Sequence, residues 1–280
     1  MELQLTPKEK LARSKVCLPL DGINFLQRKD APTGEKSVES QVIELSQVVG
    51  LFKVGKETYT RFGPESLLVV QNYGVDVFLD LKFHDIPNTV QGAARAAAEQ
   101  QVYMFNVHAS GGYEMMKAAV EGANSINISS AIVPRIVGVT VLTSLDNLRY
   151  IQNSLPVIKS LPISEENRNN ITQLLSFPYH DAIDAQIELS KEKDQANKIG
   201  IEKFYNTKFG HPFENLLRKL GLENIVPDSV LNLARMSYRA GLDGIVCSAA
   251  DLSYVRDKIP SGFLYVTPGI QGISTSAGAD

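Results

Sequence analysis

Cysteine is nearly missing from this 280-residue chain, which has two, Cys17 and Cys247. Each lies inside an apolar, strand-like run, so both read as buried packing residues and no disulfide framework follows. An excess of one charge sign is missing too: 28 Lys and Arg face 31 Asp and Glu, for a formal net charge of −3. That balance supplies no field for nucleic acid or an anionic membrane, and an anionic substrate would have to be held by local positive groups. No apolar stretch is long enough to cross a bilayer. Met1 to Lys15 carries several charges and no apolar segment of signal-peptide length. Together these absences point to a reducing cytoplasm. There is no G-x-S-x-G elbow, no P-loop, and no His or Cys spacing suited to a metal. Hydrophobic content of 44% and charged content of 21% are those of an ordinary globular protein. The length suits one large α/β domain or two small ones.

What the chain does have is alternation. Val16 to Asp21 reads as a strand, weakened by Pro19, which cannot donate to a ladder. Glu39 to Val49 has helical spacing and Gly50 closes it. Leu51 to Val54 is a second strand, Pro64 to Gln71 a helix, and Val75 to Asp80 a third strand. Thr89 to Gln101 is an alanine-rich helix. Val102 to Val107, a helix from Tyr113 to Glu121, and a strand from Ile136 to Leu142 follow. From Asp146 to Pro227 the rhythm breaks for longer than any ordinary connection, which reads as an insertion with its own helices, Glu188 to Lys198 among them. Alternation resumes with a helix capped by Asp228 or Ser229 and stopped by Gly241. Gly244 to Cys247, Ala249 to Lys258 and Phe263 to Thr267 complete it.

Repeated strand–helix units imply a parallel sheet. Polar residues stand at or near the ends of most strands: Asp21, Lys53, Asp80 with Lys82, His108, Thr143, Ser248 and Thr267. A closed (β/α)₈ barrel would gather them at one mouth, whereas a doubly wound sheet would spread them along a crevice. The expectation is therefore an α/β chain folded as a TIM (β/α)₈-type barrel. It would be one domain over 1–280 with 146–227 inserted after strand five. Seven strands can be counted.

The stretch from Asp80 to Thr89 puts two acids and a lysine into six positions, Asp80, Lys82 and Asp85. On a strand, side chains two apart share a face, so Asp80 and Lys82 project together. Asp85 follows on a loop held by Pro87. Carboxylates on either side favour the charged form of a lysine. The same three residues also suit a plain strand-end ion pair. With Asp21 and Lys53 at the same mouth they form an alternating carboxylate–ammonium cluster. A protonated lysine held there can stabilise a carbanion and then protonate it, chemistry that fits decarboxylation or enolisation. Taken alone, Asp21 reads as a strand-end cap and Lys53 as a snorkelling surface lysine.

Asp80-x-Lys82-x-x-Asp85-Ile86-Pro87-Asn88-Thr89 resembles the signature of the orotidine 5′-phosphate decarboxylase family. Further landmarks follow in the family's order: Leu20-Asp21, Phe52 to Gly55, Asn106 to Gly112, Val141 to Ser144, Gly241 to Ser248 and Val266 to Ile270. The resemblance implies a barrel homodimer with shared sites that uses no cofactor and no metal. It would convert orotidine monophosphate to UMP and carbon dioxide in de novo pyrimidine biosynthesis. By the same resemblance Lys82 would protonate the pyrimidine C6 and Asp80 would lie against the substrate carboxylate. Asp21 and Lys53 would hold ribose hydroxyls and the charge network. Asp85, Ile86 and Thr89 would serve the substrate, Asp85 and Thr89 in the neighbouring subunit's site. Thr143, or Ser144 beside it, would meet the pyrimidine. Pro268, Gly269, Gln271 and Gly272 would lie at the phosphate. His84 is expected as scaffolding and His108 as a hydrogen-bonded structural residue.

Two departures from the family pattern stand out. Gln271 takes the place of an arginine, which leaves the phosphate more dependent on backbone N–H groups. The chain also stops at Asp280, before the family's eighth strand and its Gly-Arg pair. Two other readings are open on the sequence. One is a magnesium-dependent sugar-phosphate decarboxylase or aldolase on the same barrel, although those relatives place an acid where this chain has Lys53. The other is a truncated, non-catalytic nucleotide-binding subunit with the insertion as its contact surface.

Overall fold

The computed structural model describes residues 6–21, 38–126, 133–142, 145, 147–151, 153, 181–182, 185, 191, 199, 202–204 and 206–269. Its sheet has seven strands: β1 Cys17–Pro19, β2 Leu51–Gly55, β3 Asp76–Phe83, β4 Met104–His108, β5 Arg135–Val139, β6 Gly244–Val246 and β7 Leu264–Val266. Each strand pairs in parallel with its neighbour in sequence, in the order β1 to β7 without reversal. A doubly wound sheet must reverse its strand order at a switch point. Unbroken order with helical crossovers is the winding of a TIM-type (β/α) barrel.

The helices over the first half are α1 Pro7–Arg13, α2 Val38–Leu45, α3 Lys56–Phe62, α4 Glu65–Gln71, α5 Pro87–Glu99 and α6 Tyr113–Asn124. Among the differences from the sequence reading, four stand out. First, β3 runs on to Phe83, so Asp80 and Lys82 lie inside the strand rather than at its end. Second, α5 starts at Pro87, whose missing N–H is harmless in a first turn. Third, a separate helix, α3, precedes α4, and Gly63 at φ +62 ends it. Fourth, the helix before β6 is Ile225–Arg239, so Asp228 lies in its first turn instead of capping it. Pro19 does belong to β1. The Leu20 N–H reaches the Lys53 carbonyl at 2.9 Å, so the Pro19 nitrogen faces away from β2 and no β1–β2 bond is lost.

The two-residue period of the strands sorts their side chains into two layers. Phe52, Val54, Val77, Leu79, Phe105 and Val107 point outward and share a core with Val90, Ala94 and Ala97 of α5 and Met115, Met116 and Ala119 of α6. The alternate residues Leu51, Phe78, Met104 and Val137 form an inner cluster with Cys17, Val246, Leu264 and Val266. One step further along the inner rows come Lys53 after Leu51, Asp80 after Phe78 and Asn106 after Met104. The polar site is therefore the next storey of the same interior. Helices α5 and α6 approach closely enough that a Cβ on Gly122 would strike the Gln91 carbonyl oxygen.

The chain divides into two compact units, Met1–Thr140 with Asn232–Asp280, and Val141–Leu231. In the second, Leu148, Ile151, Ala182, Ala185, Phe209, Phe213 and Leu217 form a core of their own. The helix expected from Glu188 to Lys198 lies largely outside the described residues. Among the described residues no helix is long and apolar enough to cross a membrane.

Candidate active site

Four charged side chains from three neighbouring segments meet in one cluster. The Lys53 ammonium, from β2, donates to Asp21 Oδ2 at 2.7 Å and lies 3.2 Å from Asp80 Oδ2. The Lys82 ammonium donates to the other Asp80 oxygen, Oδ1, at 2.6 Å. Asp80 is thus the hub, its side chain 11% exposed against 42% for Asp21. Room for Asp21 and Lys53 depends on Gly55, where a Cβ would collide with both.

The charge states follow from this packing. Burial works against the Asp80 carboxylate, but the bonds from Lys82 and Asn106 and the charges of Lys53 and Lys82 outweigh it, so its pKa falls below the ordinary value. Burial likewise opposes the charged form of Lys53, and Asp21 and Asp80 outweigh it, raising its pKa. At neutral pH the hub is an anion and Lys53 a cation. His108 is pushed down by burial and by the electrostatic effect of His84, Lys56 and Lys82. Its ring lies 5.2 Å from that of His84, centroid to centroid. Burial raises the Cys17 thiol to about 12 and Cys247 to about 11, so neither is a thiolate at neutral pH.

The sequence reading placed Lys82 beside Asp80 by plain alternation. The proximity is right and the route is different. The β3–β4 register is interrupted between Leu79 and Phe83, and Lys82 has φ +54. Asn106 of β4 was missed as a site residue. Its side chain accepts the Lys82 backbone N–H at 2.7 Å and donates to Asp80 Oδ1 at 2.6 Å. Counting by twos from Met104 would have placed it in the row with Lys53 and Asp80.

Residues 14–162, which hold the whole cluster, match the model of the orotidine 5′-phosphate decarboxylase / HUMPS family. The orotidine 5′-phosphate decarboxylase of Syntrophus aciditrophicus is 36% identical over 252 residues, 90% of this chain and 74% of that protein. This chain belongs to that family. The orotidine 5′-phosphate decarboxylase of Geobacter metallireducens is 31% identical over 261 residues, 93% of this chain and 76% of its own length. The crystal structure of orotidine 5′-phosphate decarboxylase from Lactobacillus acidophilus superposes with a TM-score of 0.55 at 25% identity, over 91% of this chain and 81% of that one.

Not every residue suggested by the resemblance to the decarboxylase family joins the cluster. Asp85, Ile86 and Thr89 are exposed at the start of α5. The Asp85 carboxylate accepts the N–H of Ile86 at 2.7 Å. Among the described residues no ion pair joins it to Lys82, so Lys82 is paired with one carboxylate of its own chain rather than set between two. Asp85, Ile86 and Pro87 line an open cleft with His84, Ser110 and Gly111. Pro268 and Gly269 follow β7, exposed, with Gly269 at φ +74. Thr143, Ser144, Gln271 and Gly272 lie outside the described residues.

Proposed function

We propose that this chain is an orotidine 5′-phosphate decarboxylase, a carboxy-lyase that turns orotidine monophosphate into UMP and carbon dioxide in de novo pyrimidine biosynthesis. The observation that carries the mechanism is the Lys82 ammonium 2.6 Å from a buried, ionised Asp80. The bond from C6 to the carboxylate carbon breaks, and its electron pair stays on C6. Lys82 stabilises that charge, then gives C6 a proton, and recovers one from water. Asp80 holds the ammonium in place and lies against the departing carboxylate. Asp21 and Lys53 bind ribose hydroxyls. Thr143 or Ser144 contacts the pyrimidine, Pro268 lines the phosphate site, and Gly269, Gln271 and Gly272 bind the phosphate through backbone N–H groups.

The chemistry needs no metal. Lys53 supports this, since its ammonium lies between the carboxylates of Asp21 and Asp80, where a divalent cation would otherwise find oxygen ligands. That arrangement disfavours the magnesium-dependent alternative. The working unit is a cytoplasmic homodimer of a single barrel over 1–280 with 146–227 inserted. Asp85 and Thr89, exposed and outside their own cluster, complete the partner's site, and Ile86 beside them contacts substrate.

The direct test is the absorbance change of orotidine monophosphate with chelator present. Turnover by the parent is expected, and none in the presence of substrate would overturn the assignment. Sharing of sites has its own test. Lys82→Ala and Asp85→Ala chains, each nearly inactive, should on mixing regain about a quarter of parental activity, because random exchange makes half the dimers mixed, with one intact site each. No recovery after verified subunit exchange would exclude a shared site.

A further inference from the structure

We infer that Asn106 is the positioning residue of the lysine–carboxylate cluster, its one amide holding both the backbone of Lys82 and the carboxylate of Asp80. The kinetic part of this inference rests on the decarboxylase reading; the structural part does not.

The need for such a residue arises in the ladder between β3 and β4. Leu79 pairs with Phe105, and the register resumes with Phe83 opposite Val107. Asp80, Leu81 and Lys82 therefore stand against the single residue Asn106. A bulge of this kind leaves inserted residues without ladder partners, and a buried N–H without an acceptor is costly. Lys82 is also in the left-handed region at φ +54, a strained conformation for a residue with a Cβ. Something must hold it there.

Asn106 supplies the missing acceptor. Its Oδ1 takes the Lys82 N–H at 2.7 Å in place of a strand carbonyl, and its Nδ2 donates to Asp80 Oδ1 at 2.6 Å. That same oxygen receives the Lys82 ammonium at 2.6 Å. The contacts close a loop, from Lys82 backbone through Asn106 and Asp80 to the tip of Lys82. The amide orientation is dictated by its partners, because a flipped group would set N–H against N–H and oxygen against carboxylate. Asn106 is 1% exposed, so in the parent bulk water does not compete for either role. Among small side chains only asparagine offers an acceptor and a donor with this reach. Aspartate would keep the first and place a second carboxylate against Asp80.

The test uses Asn106→Ala and Asn106→Asp in the full chain, with two readouts. For Asn106→Ala, kcat is expected to fall about 100-fold, the scale of a small misplacement of a reacting group, with KM within about threefold. UMP affinity should stay near the parent's, since ribose and phosphate are held elsewhere. Parental kcat, or a loss confined to KM, would overturn the inference. The second readout is the Lys82 backbone amide in lysine-labelled protein, followed by NMR. In the parent its proton should exchange slowly despite the bulge. In Asn106→Asp it should stay protected while kcat falls, and in Asn106→Ala it should exchange at least tenfold faster. Fast exchange in the parent would overturn the inference without recourse to any variant. A parent with a protected amide and no turnover would fault the decarboxylase reading alone.

Discussion

Lys82→Ala should abolish turnover, by at least about 10⁴-fold, while the chain stays folded. Two separate contributions disappear together. A positioned proton donor is worth roughly 10²–10⁴ in rate, and a fixed charge facing the developing carbanion roughly 10²–10³. Stability should change far less. Asp80 would keep Lys53 at 3.2 Å and the Asn106 amide at 2.6 Å, so no buried charge is left alone. A loss of about 1.5–3 kcal/mol is expected, the scale of one hydrogen bond to a charged group. Single-turnover kinetics and urea unfolding on the same preparation measure both. Turnover within tenfold of the parent would exclude Lys82 as the proton donor.

Asp80→Ala should be the more damaging change to the fold. Removing the hub leaves two ammonium groups facing each other in a largely buried pocket. Breaking a buried pair from one side costs roughly 3–5 kcal/mol. The low end, about 3 kcal/mol, is expected here, because Lys53 retains Asp21 and the Lys82 side chain is 29% exposed. Turnover should fall at least about 10²-fold, since Lys82 loses the group that aims it. The pH dependence has a definite sign. The folded pKa of Asp80 lies below its unfolded value, so the folded state binds this proton less readily than the unfolded one. The stability it contributes is complete above the ordinary carboxylate pKa of about 3.9. It is lost only as pH falls through the lower folded value. The gap between parent and Asp80→Ala in urea unfolding should be the same at pH 7 and pH 5, and should narrow below pH 4. A gap under about 1 kcal/mol at pH 7 would mean that the two lysines do not depend on Asp80.

Much of this protein was legible in one dimension. Apolar strands separated by amphipathic helices imply a parallel α/β fold, because strand period and helix period are local properties. The same period puts Lys53 one step beyond Leu51 and Asp80 one step beyond Phe78, and hence into the barrel interior. The sequence by itself determined that a lysine–carboxylate cluster would form and which four side chains would make it. Tertiary structure decided how it is held. Unbroken strand order from β1 to β7 depends on which strands meet, which no local pattern states. The bulge opposite Asn106, and with it the left-handed backbone of Lys82, exists only because two strands of unequal count are paired. Period two puts Asn106 in the interior row, but the break in β3 that brings the Lys82 N–H to it is not readable from spacing, and neither is its role as the shared partner. Asp85 shows the same limit. Its spacing suggested a carboxylate flanking Lys82, yet past the end of β3 it accepts the N–H of Ile86 instead. Residue type and local period fix what a side chain can do; the pairing of distant segments fixes which partner it meets.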